Sequence, residues 1–75
     1  PYAHRAGHDV NYLGLAGVLG LTGPPDGPPE LPGVQLADIA GGSYLTVIAL
    51  LTALYARQQT GLGQHVDVSM TDGVM

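Results

Sequence analysis

Apolar positions fall into three stretches of this chain, separated by glycine and proline. In the first, Val10, Leu13, Leu15 and Val18 recur at spacings compatible with a helix and predict one from about Asp9 to Leu19. Asp9 suits its N-cap or first turn. Gly14 and Gly17 either weaken it or let another backbone come close. Residues 1–7 read as loop. Gly20 to Gly33 holds the run Gly23-Pro24-Pro25-Asp26-Gly27-Pro28-Pro29 and has neither a helix nor a strand future. Its length leaves two readings, a plain surface linker or a functional connecting loop.

In the second stretch Leu45, Val47, Ile48, Leu50, Leu51 and Leu54 wrap most of a helix circumference. They predict a helix buried on nearly all sides. It starts between Ala37 and Ser43, capped by Asp38 if early or Ser43 if late, and ends near Gln59 with Gly61 as C-cap glycine. The third stretch, Gln64 to Met70, alternates Val66, Val68 and Met70 with His65, Asp67 and Ser69. Period two predicts a strand. Thr71 or Asp72 then suits the cap of a third helix, cut at Met75. Two full helices, one strand and the start of a third helix place the chain in the α/β class.

The stretch from Val34 to Ala56 is apolar enough to raise the question of a membrane. Gln35, Asp38 and Gly41-Gly42 interrupt it, and the clean run from Tyr44 to Ala56 is too short to span, so the expectation is a buried core helix and no membrane. Seventy-five residues make at most one small domain. Opening on Pro1 and stopping at Met75 in mid-pattern, the chain reads as an internal piece of a longer protein, inactive and poorly folded alone. A formal net charge of −4, with Arg5 and Arg57 the only basic residues besides histidine, gives no footprint for nucleic acid or an anionic membrane surface. With 45% apolar residues and few charges, much of the surface is expected to be covered by further chain or by a partner. There is no cysteine, hence no disulfide and no thiolate site. No signal peptide is visible, and the expected location is cytoplasmic.

Against this sparse background His8 and Asp38 stand out. Each lies beside or near glycine where a helix begins. An imidazole titrates near neutral pH, and an unpaired carboxylate in an apolar setting is costly, a setting in which proton-transfer groups are tuned. Facing one carbon, they could take a proton from one side and return it on the other. Unpaired N–H groups at the two helix starts could hold the resulting oxyanion. Asn11 and Tyr12 either orient a ligand or simply cap and pack. His4 and His8 have the spacing of a helical metal pair, but Gly7 intervenes and no third ligand is near, so no metal is expected. His65 and Asp67 share one side of the strand, where a structural hydrogen bond is expected. Gly61-Leu62-Gly63 follows a helix and is no dinucleotide fingerprint.

Three segments resemble a known family. Arg5-Ala6-Gly7-His8-Asp9-Val10-Asn11-Tyr12-Leu13 and Leu36-Ala37-Asp38-Ile39-Ala40-Gly41-Gly42 resemble the two signatures of α-methylacyl-CoA racemases. Thr60-Gly61-Leu62-Gly63-Gln64-His65-Val66-Asp67-Val68-Ser69-Met70-Thr71-Asp72-Gly73 resembles a stretch shared across the CaiB/BaiF (class III) CoA-transferase family. Val34 departs from the racemase pattern, which often has asparagine four residues before the aspartate; Gly33-Val34-Gln35 is more similar to the broader CoA-transferase homologues.

The resemblance implies that residues 1–75 are part of a Rossmann-like large domain in an interlocked homodimer. Most of the CoA-binding segment would lie upstream and a supporting glutamate downstream. It implies His8 and Asp38 as the acid/base pair flanking the α-carbon of a 2-methylacyl-CoA thioester. Asp9 and Tyr12 would line the thioester pocket, and Asn11, Gly41 and Gly42 would join them in binding substrate. No cofactor would be needed, because the thioester itself acidifies that carbon, and coenzyme A enters only as part of the substrate. In the transferases of the family the residue matching Asp38 is a nucleophile that forms an aspartyl anhydride and then an aspartyl-CoA thioester. Three functions therefore compete: an acyl-CoA racemase or epimerase, a CoA transferase, and a non-catalytic packing or dimer-forming segment whose His8 and Asp38 face no common cavity.

Overall fold

The computed structural model describes residues 2–75; of the loop expected over residues 1–7, Pro1 lies outside the described residues. Helix α1 spans Asp9–Leu15 and is followed by a 3-10 turn, Val18–Leu21. A long helix opens with a π-helical segment, Ala37–Tyr44, and continues as α2, Leu45–Thr60. Helix α3 spans Met70–Val74.

Helix α1 stops four residues short of its expected end. The chain turns at Gly17, where φ is 82°, and Val18 to Leu21 wind as a tighter 3-10 turn instead. The long helix starts at the early end of its expected range. Neither Asp38 nor Ser43 caps it: the N-cap position is Leu36, and no side chain of that residue satisfies the first turn. Ser43 instead donates its hydroxyl to the Asp38 carbonyl oxygen at 3.0 Å, inside the wide-turned segment that holds Gly41 and Gly42. The helix ends as expected at Gly61, whose φ is 74° and whose N–H donates to the Arg57 carbonyl oxygen at 2.7 Å. That left-handed geometry costs a side-chain-bearing residue about 1–2 kcal/mol. Gly61→Val in the intact protein is therefore expected to lower its urea-unfolding free energy by about that amount, and an unchanged midpoint would contradict it.

Two expectations are corrected. Among the described residues there is no strand; residues 62–69 form no regular element. A strand is defined by backbone hydrogen bonds to a neighbour, and these residues contain no neighbour to exchange them with. The alternation itself is real: Val66, Val68 and Met70 are half-buried, whereas His65, Asp67 and Ser69 are exposed. Helix α3 begins earlier than Thr71 or Asp72 would have it, because Ser69 caps it by accepting the Asp72 N–H at 3.3 Å.

The second correction concerns burial. The helix over Ala37–Thr60 is continuous for 24 residues, long and apolar enough by length and composition to cross a membrane. Within these residues it is not enclosed: Val47 is 54% exposed, Ile48 59% and Leu51 61%. Nothing in residues 2–75 folds back along α2. A helix apolar on all sides is covered either by the core of a larger protein or by lipid, and the sequence pattern records the need for cover without supplying it.

Packing is concentrated at the π-helical end. Helix α3 lies chiefly on that segment, and α1 touches both. Leu13 and Ala37 are the fully buried apolar residues there. The radius of gyration is 15.7 Å, against about 11 Å for a compact domain of this length. The order of the molecule is therefore local to the place where α1, the π-helical segment and α3 meet.

Candidate active site

His8 occupies the N-cap position of α1 in extended geometry, φ −129° and ψ 177°. Its backbone N–H donates to the Asn11 side-chain oxygen at 3.0 Å. That interaction is half of a capping box, and it spends the Asn11 amide oxygen on the backbone of its neighbour. The His8 side chain makes no capping hydrogen bond and is exposed.

Asp38 lies one residue into the π-helical segment and is half-buried. It is not sealed in apolar surroundings, as the sequence suggested, but opens onto surface clefts. One, of about 430 Å³, is lined by His8, Asp9 and Asp38 together with apolar Val10, Leu13 and Leu31 and the segment 32–35. His8 and Asp38, thirty residues apart in the chain, thus share one concavity. The end of the proline–glycine loop forms part of its lining. The only advance sign of this in the sequence was the length of the loop.

Asp9 joins the two segments. The Asp38 backbone N–H donates to Asp9 Oδ2 at 2.8 Å. The carboxylate thereby satisfies one of the orphan donors at the start of the long helix and complements its dipole. The sequence placed Asp9 at the start of α1, where it does sit, but gave no sign that its side chain would serve a different helix. The same bond removes the Asp38 amide from the set of donors expected to be free for an oxyanion.

The remaining expected site residues separate. Tyr12 and Asn11 line a neighbouring depression of about 830 Å³ with Tyr2 and Arg5, and the Arg5 guanidinium stands 5.5 Å from the centre of the Tyr2 ring. Tyr12 packs its ring against Gly7 so closely that a Cβ on Gly7 would come within 2.9 Å of the ring carbon that bears the hydroxyl. Gly41 is buried under α3: a Cβ there would sit 2.7 Å from both the Met70 carbonyl oxygen and Val74 Cγ1. Its backbone therefore faces protein and not a cleft. Gly42 lines a second cleft of about 540 Å³ with Asp38, Ser43 and Thr46, so Asp38 stands between two concavities.

The chemistry available in the first cleft is an imidazole and two carboxylates, one of them already engaged, against largely apolar walls and with no cation. That set can move protons or offer a carboxylate oxygen as nucleophile. The sequence profile of CoA-transferase family III matches residues 1–75. The chain is 42% identical over 76 residues to the acetyl-CoA:oxalate CoA-transferase of Acetobacter aceti, covering 100% of this chain and 19% of that protein. It is likewise 42% identical over 72 residues to the alpha-methylacyl-CoA racemase of Homo sapiens, covering 96% of this chain and 19% of the relative. A crystal structure of a CAIB/BAIF family protein from Brucella suis matches 96% of this chain and 19% of its own, at 49% identity and a TM-score of 0.82. The chain thus spans 19% of the length of each of these relatives.

Proposed function

Because the chain belongs to CoA-transferase family III, we propose that it carries the acid/base pair of an acyl-CoA thioester enzyme, a racemase or epimerase that inverts the α-carbon. The observation that carries this reading is the common cleft of His8 and Asp38. One group removes the α-proton as the thioester carbonyl becomes an enolate, and the other protonates the opposite face. The apolar wall of Val10, Leu13 and Leu31 suits an acyl chain lying alongside.

The reading includes a Rossmann-like large domain, a homodimer, a cytoplasmic setting and no cofactor beyond the CoA thioester itself. It also makes Ala37–Thr60 a core helix of that domain. Asp38 near its start and the α3 contact at Gly41 favour a protein-enclosed end over a lipid-facing one.

One observation favours a second reading. Val34, where racemases often carry asparagine, forms part of the wall of the same cleft. A CoA transferase would use Asp38 as a covalent nucleophile, and the two relatives named above, one of each kind, match at equal identity.

The two readings separate in one experiment on the intact protein. Under the racemase reading, 2-methylacyl-CoA in deuterated water loses its α-proton with no acceptor acid present, and mass spectrometry finds no CoA attached to Asp38. Under the transferase reading, an Asp38–CoA adduct forms during turnover with an acceptor acid and the α-proton stays in place. Absence of both activities would dismiss the pair as catalytic.

A further inference from the structure

The Asp9 carboxylate sits at a point that no other side chain occupies. It follows His8 directly in the chain, and its Oδ2 accepts the backbone N–H of Asp38 at 2.8 Å. A single hydrogen bond therefore ties the segments that carry the two residues lining the cleft, from the peptide N–H of Asp38 to the side chain of the residue after His8. The Asn11 side chain meanwhile holds the His8 N–H at 3.0 Å, so the backbone at His8 is pinned from the α1 side as well. The long helix has no cap of its own: Leu36 at the N-cap position supplies no side-chain acceptor, and Asp9 supplies one from another helix. The segment being held is π-helical, a winding found often at functional sites.

We infer that Asp9 is a positioning residue: its side chain sets the separation of His8 and Asp38 by fixing the first turn of the Asp38 helix, and it does not itself contact the reacting atoms. The inference rests on the reading of His8 and Asp38 as the proton-transfer pair, and it adds to that reading a residue that acts through them. What the interaction requires is an oxygen acceptor at that place, not a negative charge.

The test compares Asp9→Ala, Asp9→Asn and His8→Ala in the intact protein, following interconversion of 2-methylacyl-CoA epimers and separating kcat from KM, with far-UV circular dichroism to establish folding. Misplacing a reacting group by about 1 Å can cost on the order of 100-fold. Asp9→Ala is accordingly expected to lower kcat about 10- to 100-fold with KM little changed. Asp9→Asn keeps a carbonyl oxygen for the Asp38 N–H and is expected to recover most of kcat. Wild-type kcat in Asp9→Ala, a loss confined to KM, or a folded Asp9→Asn as slow as Asp9→Ala would each overturn the inference. If Asp9→Ala does not fold, Asp9→Asn decides alone: near-normal kcat supports the positioning role, and a folded but slow enzyme refutes it. An inactive His8→Ala beside a fully active Asp9→Ala removes only this inference. A His8→Ala that interconverts the epimers at the wild-type rate, or a wild type that does not interconvert them, removes the underlying reading and this inference with it.

Discussion

Replacing His8 with alanine in the intact protein is expected to slow the interconversion of 2-methylacyl-CoA epimers by about 10²- to 10⁴-fold, the usual worth of a positioned acid or base. The reasoning follows from inversion needing both faces of the carbon. If His8 and Asp38 lie on opposite sides of the cleft they share, each deprotonates one epimer and protonates the enolate to give the other. Removing either group therefore blocks inversion in both directions. It does not block every proton exchange. In His8→Ala the epimer that Asp38 deprotonates can still lose its proton and regain a deuteron on the same face, whereas its partner cannot. Asp38→Asn should show the reverse preference. The measurement is the rate of deuterium incorporation from solvent into each epimer separately, alongside the rate of epimer conversion. Equal exchange of both epimers in His8→Ala would show that the imidazole serves neither face. A side-chain defect that merely disturbed binding would slow both epimers together, so the asymmetry distinguishes the chemistry from a general loss of fit.

The parts of this arrangement that could be read from the sequence are those decided locally. The end of the long helix at Gly61 was legible because a glycine after Thr60 suits a left-handed C-cap whatever surrounds it. The alternation from Val66 to Met70 was legible as well, since half-buried and exposed side chains do alternate there. Its assignment as a strand was not met, because strand pairing is a property of two segments and only one is present. Helix α1 was placed correctly at its start and too long at its end, where the turn at Gly17 outweighed the apolar periodicity through Val18. The cover of α2 was not legible for a related reason: an all-round apolar pattern states that cover is needed, but which residues provide it is nonlocal, and within residues 2–75 the helix is exposed. At the site, His8 and Asp38 were singled out by residue type and by resemblance. That they share one cleft depends on the loop wall at 31–35 and on the Asp9 bond, and a hydrogen bond between residues 29 apart leaves no periodic trace in the chain. Gly41 shows a second nonlocal cause. A glycine beside a candidate catalytic residue invites a substrate contact, yet its missing side chain makes room for α3.

That close approach supports the second large effect. Gly73 and Gly41 meet backbone to backbone: a Cβ on Gly73 would lie 2.5 Å from the Gly41 carbonyl oxygen and 2.7 Å from its Cα. Both distances are far inside van der Waals contact, and both obstacles are main chain, so no side-chain rotation relieves them. Gly73→Ala must therefore move α3 away from the π-helical segment, and overpacking of this kind costs about 1–3 kcal/mol, occasionally more. The ordinary gain of alanine over glycine within a helix, about 1 kcal/mol, offsets only part of it. The expected result in the intact protein is a lower urea-unfolding free energy together with slower turnover, because the displaced segment carries Asp38 and lies between α3 and the Asp9 bond. Gly63→Ala is the matched control. Nothing lies within 4 Å of a Cβ at that position, and a substitution away from any packed contact should stay within about 0.5 kcal/mol. If Gly73→Ala unfolds at the same urea concentration as Gly63→Ala, the two backbones do not hold each other in the assembled protein. Asp38 would then depend on Asp9 alone for its place.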